Sequence, residues 1–357
     1  MKTISIIGLG LIGGSIAKAL KASGNDFEIS GFDFEEIIDL AYQEKNIDKK
    51  LEKIEDALLS DLIFICTPVD LSLKIFDQLS DKLKPNQVVT DVCSVKTPFQ
   101  EIWERKGKDG FYIGGHPMTG KESGGYKNSD HLLFENTVYI VSDLAKDLPV
   151  TNRFSEIIDA LGARITFLNP KIHDIIVAAV SHLPQLVSVS LINSAGLKES
   201  NINFFDYAAG GFRDMTRIAS SDFSIWEPII RKNNKNIIQA IDNFIYDLQL
   251  VKSNIEKNNF VQLAEKFENA RKKRDEIPKN TKGFIHSLVD IYVYVKDEPG
   301  VLAKLTTALF MNGINIKDIE LLKVREGTGG SFRLSFDNAE IASSAKKILQ
   351  KEGFSIA

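Results

Sequence analysis

Residues 3–15 read TISIIGLGLIGGS. The apolar run stops at Gly8, and glycines recur at Gly10 and Gly13 in G-x-G-x-x-G spacing. Alone, that spacing is a weak signal. Here a strand pattern precedes it and a helical pattern, GSIAKALKAS, follows, which is the setting a dinucleotide fingerprint requires. Gly8 permits the tight turn, Gly10 lets the backbone approach a pyrophosphate, and Gly13 allows close helix–strand packing. Leu11 and Ile12 open a helix whose free N–H groups and dipole favour an anion. Asp33 closes the next apolar run, FEISGFD, 20 residues after Gly13. A carboxylate there accepts hydrogen bonds from both ribose hydroxyls and repels a 2′-phosphate, so NAD is expected rather than NADP. The plain alternatives are a glycine turn without a ligand and a solvated strand end.

Similar runs follow: DLIFICTP, QVVTDV, FYIGG, NTVYIVS and ARITFL. Short runs with few polar interruptions, alternating with helical patterns, suit βαβ units in a mostly parallel sheet buried on both faces. After Asn169–Pro170 the strand signal stops, and residues 170–275 read as nearly all helix. In IIQAIDNFIYDLQLVKSNI, the residues Ile237, Ile241, Phe244, Leu248, Val251 and Ile255 are spaced 4, 3, 4, 3, 4, a seam for another helix. Packing within one bundle and a dimer seam both remain open. A polar stretch, ARKKRDEIPKNTKG (270–283), reads as a linker, and from residue 288 the order is strand, helix, strand, strand, helix, strand. The expected class is α/β. A Rossmann-like dinucleotide-binding domain (1–168) precedes an all-α substrate-binding and dimerisation domain (169–275), a linker (276–287) and a ferredoxin-like βαββαβ domain (288–357).

The chain has 357 residues, 43% of them apolar, enough for real cores, and a net charge of −4. No basic field recruits nucleic acid or anionic lipid. No run approaches the roughly 20 apolar residues of a membrane helix, and no signal-peptide pattern opens the chain. A cytoplasmic protein is expected. Two cysteines, Cys66 and Cys93, are too few for a disulfide framework or a cysteine-based zinc site, and packing is their expected role.

In open α/β sheets, ligands lie beyond the carboxyl ends of the strands. ICTPVD (65–70) therefore places Thr67 and Pro68 against the cofactor, and TDVCSVK (90–96) places Ser94 at the same rim. GGHPMTGKESGG (114–125) follows another strand and puts His116 there too. His173 and His182 are nine residues apart, about 180° around a regular helix. They are not expected to act as a pair, and no i, i+4 metal arrangement exists. His182 precedes Pro184, where a kink is expected to face it into a cavity. His131 and His286 are expected to be bland. GGFRDMTRIASSDFSIW (210–226) gathers Arg213, Asp214, Arg217 and Trp226, and arginine's planar fork suits carboxylates. The constellation fits a dehydrogenase for an anionic substrate carrying a hydroxyl.

Together, GLGLIGGS, CTPV, DVCSVK, GGHPMTGKESGG, SHLPQ and GGFRDMTRIASSDFSIW resemble the prephenate dehydrogenase family over roughly residues 1–275. The tail, with DEPGVLAKL and NGINIKDI, is similar to an ACT domain. The resemblance implies NAD-dependent oxidative decarboxylation of prephenate to 4-hydroxyphenylpyruvate, a tyrosine precursor, by a homodimer without a metal. It implies His116 as the base for the C4 hydroxyl, with Ser94 contacting the same hydroxyl and the nicotinamide side. Arg217 would bind a carboxylate, His182 the other acidic end, and Trp226 would shape the pocket. Arg213 would add a basic group, Asp214 would orient its neighbours, and Glu122 would gate access. Two positions depart from the family: Gln185 stands where a second histidine is common, and Lys121 where a small hydroxyl residue is. The ACT likeness implies Asp297, Pro299, Gly300, Val301, Leu302, Asn312, Gly313 and Ile314 as regulatory residues, with L-tyrosine as effector. Arogenate dehydrogenase and a non-catalytic amino-acid sensor are the competing readings.

Overall fold

The computed structural model describes residues 1–107, 109–121, 123–196, 198–199, 202–276, 288–325 and 329–356. They divide into two compact units, 1–263 and 264–357. The first opens with β1 (Thr3–Ile7), α1 (Leu11–Ala22), β2 (Glu28–Phe32), α2 (Glu35–Gln43), β3 (Lys49–Lys50), β4 (Leu62–Ile65) and α3 (Val69–Leu79). It continues through β5 (Val88–Asp91), α4 (Thr97–Lys106), β6 (Phe111–Pro117), β7 (Val138–Ser142), α5 (Thr151–Ala160) and β8 (Arg164–Leu168). The strands form one sheet in the order β3-β2-β1-β4-β5-β6-β7-β8. All expected strands are present, and β3 adds a two-residue edge.

Alternation along each strand builds two cores. Ile4, Ile6, Leu62, Phe64 and Val88 point to one face, and Ile7, Ile63, Ile65 and Val89 to the other. Only β6 and β7 pair antiparallel within the sheet, so the chain reverses direction between Pro117 and Val138. Gly8 adopts φ +94, and Gly10 caps α1 without a side chain. A Cβ at Gly13 would collide with the Gly8 carbonyl oxygen. Gly13→Ala is therefore expected to cost about 1–3 kcal/mol through overpacking. A lowered thermal midpoint, with weakened dinucleotide binding by calorimetry, checks this.

The helices after the sheet are α6 (Pro170–Val177), a π turn (Ala178–His182), α7 (Leu183–Ala195), α8 (Gly210–Thr216), α9 (Phe223–Lys232), α10 (Asn234–Glu256) and α11 (Phe260–Glu276). Pro170 occupies the first helical turn of α6, and the Asn169 side chain accepts from the Lys171 N–H at 3.0 Å. Three expectations change here. A short hairpin, β9 (Lys198–Glu199) with β10 (Ile202–Asn203), interrupts the helices. The helix Pro170–Ala195, 26 residues, is by length and composition apolar enough to cross a membrane. The sequence hid this because His173, Asp174, His182 and Gln185 break its run, yet all four are buried. The linker's first residues continue α11 to Glu276, where Glu268 pairs with Arg271 and Lys272 one turn on. The rest of the linker, with His286, lies outside the described residues. Along α10, Ile237 is buried while Leu248 and Ile255 are exposed. The seam is thus covered from within at its start and open further along.

The boundary between the two units falls inside α11. The second unit contains β11 (Val289–Val295), α12 (Val301–Phe310), β12 (Asp318–Arg325), β13 (Gly329–Phe336), α13 (Ala339–Lys351) and β14 (Ser355–Ile356). The antiparallel sheet runs β12-β13-β11-β14, the ferredoxin-like order. Val293, Leu305, Leu309, Leu334 and Phe336 anchor its core.

Candidate active site

The carboxyl ends of β1, β2 and β4 open a cavity of about 480 Å³ lined by Gly8, Gly10, Asp33, Phe34, Thr67 and Pro68, among others. Asp33 accepts from the Leu9 and Phe34 N–H groups at 2.5 and 2.7 Å. Its carboxylate is thereby held over the glycine turn. No acidic residue occupies the first turn of α1, where Leu11, Ile12 and Gly13 lie. These residues fit a dinucleotide: open N–H groups for its pyrophosphate, and a fixed carboxylate for its ribose. Burial, with the charge of Asp91, pushes the Cys93 thiol up to about 12. Burial raises Cys66 as well, so neither is poised as a thiolate.

At the end of β5, Asp91 is fully buried. It accepts from the Cys93 N–H (2.9 Å) and Tyr112 hydroxyl (2.8 Å), and it pairs with the buried ammonium of Lys96. Removing one partner of such a pair costs about 3–5 kcal/mol. The loop carrying Ser94 is thus pinned between Asp91 and α4. The N–H groups of Lys96 and Thr97, at the start of α4, donate to Asp174 at 2.7 and 2.9 Å. Burial alone would raise the Asp174 carboxyl. The bonds from His173, Thr97 and Lys96 outweigh it and hold the group below its usual range.

From Asp174 a chain runs to the rim. His173 Nδ1 lies 2.8 Å from Asp174 Oδ1, and His173 Nε2 lies 2.8 Å from His116 Nδ1. An ionised carboxylate only accepts, so His173 carries its proton on Nδ1. Its Nε2 is then an acceptor, and the proton between the rings sits on His116 Nδ1. His116 Nε2 is left with a bare lone pair. Burial first, then the fields of His173, Lys96 and His182, hold His116 well below the usual histidine range. It is neutral at pH 7 and able to accept a proton.

The structure adds His173, from the helix that opens at Pro170, to the residues expected around His116. His173 meets His116 at 2.8 Å, and His182 lies against Trp226 and Asn233. The π turn between His173 and His182 spaces the helix differently from the regular period that put them on opposite faces. The same turn lies just before Pro184, where the kink is expected. The Trp226 ring meets His182 edge-on at 5.9 Å. Arg213 on α8 and Arg217 just after it are both exposed. Gln185 is buried and donates to the Ile218 carbonyl at 2.9 Å, bracing the turn that begins at Arg217. The His-Pro segment is moored at its far end. Tyr126 packs against Gly14, donates to Glu44 at 2.9 Å and accepts from Asn46 at 2.8 Å. Lys121 donates to the Asn128 carbonyl (3.1 Å) and Asp130 (3.3 Å), closing the segment on itself. Glu122 lies outside the described residues. His131 is exposed beside Asp130.

In the second unit, Asp297, Gly300, Val301 and Leu302 line a cavity of about 460 Å³ with Leu321 and Phe332. Pro299 lines a neighbouring one. Asn312, Gly313 and Ile314 instead close the far end of α12. There the Gly313 and Ile314 N–H groups return to Phe310 and Leu309.

Residues 16–167 match the family model described as prephenate dehydrogenase, nucleotide-binding domain. Residues 169–269 match its dimerization domain, and 289–354 an ACT domain. The chain is 32% identical over 356 residues to the prephenate dehydrogenase of Lactococcus lactis subsp. cremoris, covering 98% of each. Prephenate dehydrogenase from A. aeolicus, solved with hydroxyphenyl propionate and NAD+, matches with a TM-score of 0.70 and 31% identity, over 78% of this chain and 98% of that one. Synechocystis arogenate dehydrogenase matches with a TM-score of 0.66 and 28% identity, over 77% and 99%. A near full-length relative and two matched domain models agree with the histidine held at the end of β6, and the chain belongs to the prephenate dehydrogenase family.

Proposed function

We propose that the chain is an NAD-dependent enzyme that converts prephenate to 4-hydroxyphenylpyruvate, regulated by L-tyrosine. The observation that carries the reading is the Asp174–His173–His116 chain, which ends in a bare Nε2. Gly8, Gly10, Leu11, Ile12, Gly13, Asp33, Thr67, Pro68 and Ser94 would hold the dinucleotide. NAD⁺, when bound, supplies the hydride acceptor. His116 Nε2 takes the C4 hydroxyl proton as the C4 hydride leaves. The ring carboxylate then departs as CO₂, its bonding pair completes the aromatic ring, and the ring oxygen recovers one proton. The protein needs only to orient C4 and hold that proton. Ser94 steadies the hydroxyl. Arg217 and His182 take the carboxylates, with Arg213 and Trp226 around them and Glu122 as the gate.

Two kinetic expectations follow. Arg217→Ala should raise KM for prephenate about 10- to 100-fold, the loss of a charged hydrogen bond. kcat should change little, since that contact exists before and during the transition state; steady-state kinetics decide it. The second concerns pH. A base whose pKa is lowered stays unprotonated to lower pH. kcat/KM should therefore be level from pH 8 to 6.5 and fall only below, with the limb absent in a His116 variant.

The ACT reading rests on the cavity beside Gly300. α12 begins there without a side-chain cap, beside an apolar wall of Leu321 and Phe332. Backbone N–H groups for a carboxylate and an apolar wall for a ring suit an aromatic amino acid. We also read the chain as a homodimer. Ile172, Ile175 and Val180 on the long apolar helix, with Met215, Phe223 and Ile225, are exposed in the single chain, and a second copy would cover them. The cytoplasmic placement expected from the sequence goes with this reading, as do the domain limits given above. The likeness to an arogenate dehydrogenase keeps arogenate as the second substrate to test. One assay tests the activity, substrate, cofactor and effector together: reduced-cofactor formation from prephenate against arogenate, with NAD⁺ or NADP⁺, with and without tyrosine. No turnover of either substrate would overturn the proposal, and tyrosine without effect would remove its regulatory part.

A further inference from the structure

His182 is 1% exposed, and its two ring nitrogens have different surroundings. Nδ1 lies 3.3 Å from the side-chain amide Nδ2 of Asn233, which is itself 3% exposed. The orientation of that amide is settled by its other neighbours. Nδ2 sits 2.7 Å from the Asp174 carbonyl oxygen, which can only accept, so the atom facing it is the nitrogen. Asn233 Oδ1 in turn accepts from Asn236 Nδ2 at 2.8 Å. The second amide hydrogen therefore points at His182 Nδ1, which must offer a lone pair.

Burial lowers the His182 pKa to about 4, so the ring is neutral at pH 7. A neutral imidazole with a bare Nδ1 carries its proton on Nε2. That N–H is buried and has no hydrogen-bond partner among the described residues. Buried donors are rarely left so, and an unpaired one calls for a reason. Trp226 flanks the ring, and in the proposed function the unpaired donor is where the substrate would meet it.

We infer that Asn233 is a positioning residue, fixing His182 as the Nε2–H tautomer so that it donates a hydrogen bond to a carboxylate of the substrate. The inference deepens the proposed function and rests on its placing a carboxylate beside His182. Asp174 then governs both histidines with opposite results. Its carboxylate works through His173 to leave His116 an acceptor. Its carbonyl works through Asn233 to make His182 a donor. One ring takes a proton from the substrate and the other presents one to it.

Nitrogen-15 spectra of the full chain, with histidine ring nitrogens labelled and His182 assigned by a His182→Gln variant, test this directly. The expected wild-type result is a bare Nδ1 and a protonated Nε2. Titration with 3-(4-hydroxyphenyl)propionate should shift the Nε2 proton downfield as it gains an acceptor. A proton on Nδ1, or no response to the carboxylate at saturation, would overturn the inference without any substitution. Asn233→Ala should mix the tautomers and raise KM for prephenate about tenfold, with the acid limb assigned to His116 unmoved. A folded Asn233→Ala enzyme with unchanged KM would also overturn it. Failure to turn over prephenate, with the Nε2–H tautomer intact, would instead sink the functional reading alone.

Discussion

His116→Asn is expected to lower kcat by about 10²- to 10⁴-fold, the usual contribution of a positioned general base. NAD⁺ affinity should stay within about twofold, because the dinucleotide cavity is lined by Gly8, Gly10, Asp33, Thr67 and Pro68 and not by His116. Asparagine keeps a side-chain hydrogen-bonding group near His173 but removes the basic nitrogen. The loss should appear in kcat and kcat/KM together, since proton acceptance belongs to the transition state. Single-turnover NADH formation, beside NAD⁺ binding by fluorescence, separates the two quantities. Unchanged turnover would refute His116 as the base.

Asp174→Asn should be nearly as damaging, although Asp174 touches neither cofactor nor substrate in this reading. An amide opposite His173 can present either an oxygen or an NH₂ group. The proton order along His173 and His116 is then no longer determined. Where a carboxylate orients a catalytic histidine in a serine-protease triad, the same exchange costs about 10⁴ in kcat by favouring the wrong tautomer. About 10²- to 10⁴-fold is expected here. Stability should also fall by about 1–3 kcal/mol, as the α4 N–H groups lose a charged acceptor. The sign with pH follows from a lowered folded pKa. The wild-type carboxylate contributes stability above the ordinary carboxyl range and loses it as pH falls through the folded value. The variant lacks that contribution at every pH, so the two denaturation curves should converge on acidification. A variant with wild-type kcat would show that the chain from Asp174 to His116 does not order the proton.

The cofactor end was legible because its determinants are local. Three glycines within six residues and Asp33 at the next strand end each state a backbone or charge requirement in sequence order. His116 was legible for a related reason: it closes a strand, and strand ends of such sheets share a rim. His173 and Asp174 were not. Their role comes from partners far off in sequence, His116 at 57 residues and Lys96 at 78, and the π turn beyond them hid how His182 relates to both. The adjacent His and Asp at the start of an apolar helix were the one available hint. Asn233 was invisible for the same reason: it meets Asp174 from 59 residues away. Lys96 was read as part of a loop motif, yet its ammonium neutralises Asp91 while its backbone N–H holds Asp174.

The π turn has a consequence for how this site can be lost or redesigned. What matters between Asp174 and His182 is a count as much as an identity. Substituting Val180, which is 62% exposed in the single chain, changes one side chain and leaves the register as it is. Deleting it while the turn relaxes to a regular α-helix removes the turn's extra residue, so His182 would keep its direction, whereas a residue inserted into or deleted from the regular helix beside the turn would carry His182 and everything after it around the axis by about 100°. The composition would scarcely differ, and every catalytic side chain would still be present. Mutational scans that exchange residues one for one would miss this dependence altogether, whereas single-residue deletions and insertions along 175–181 would map it.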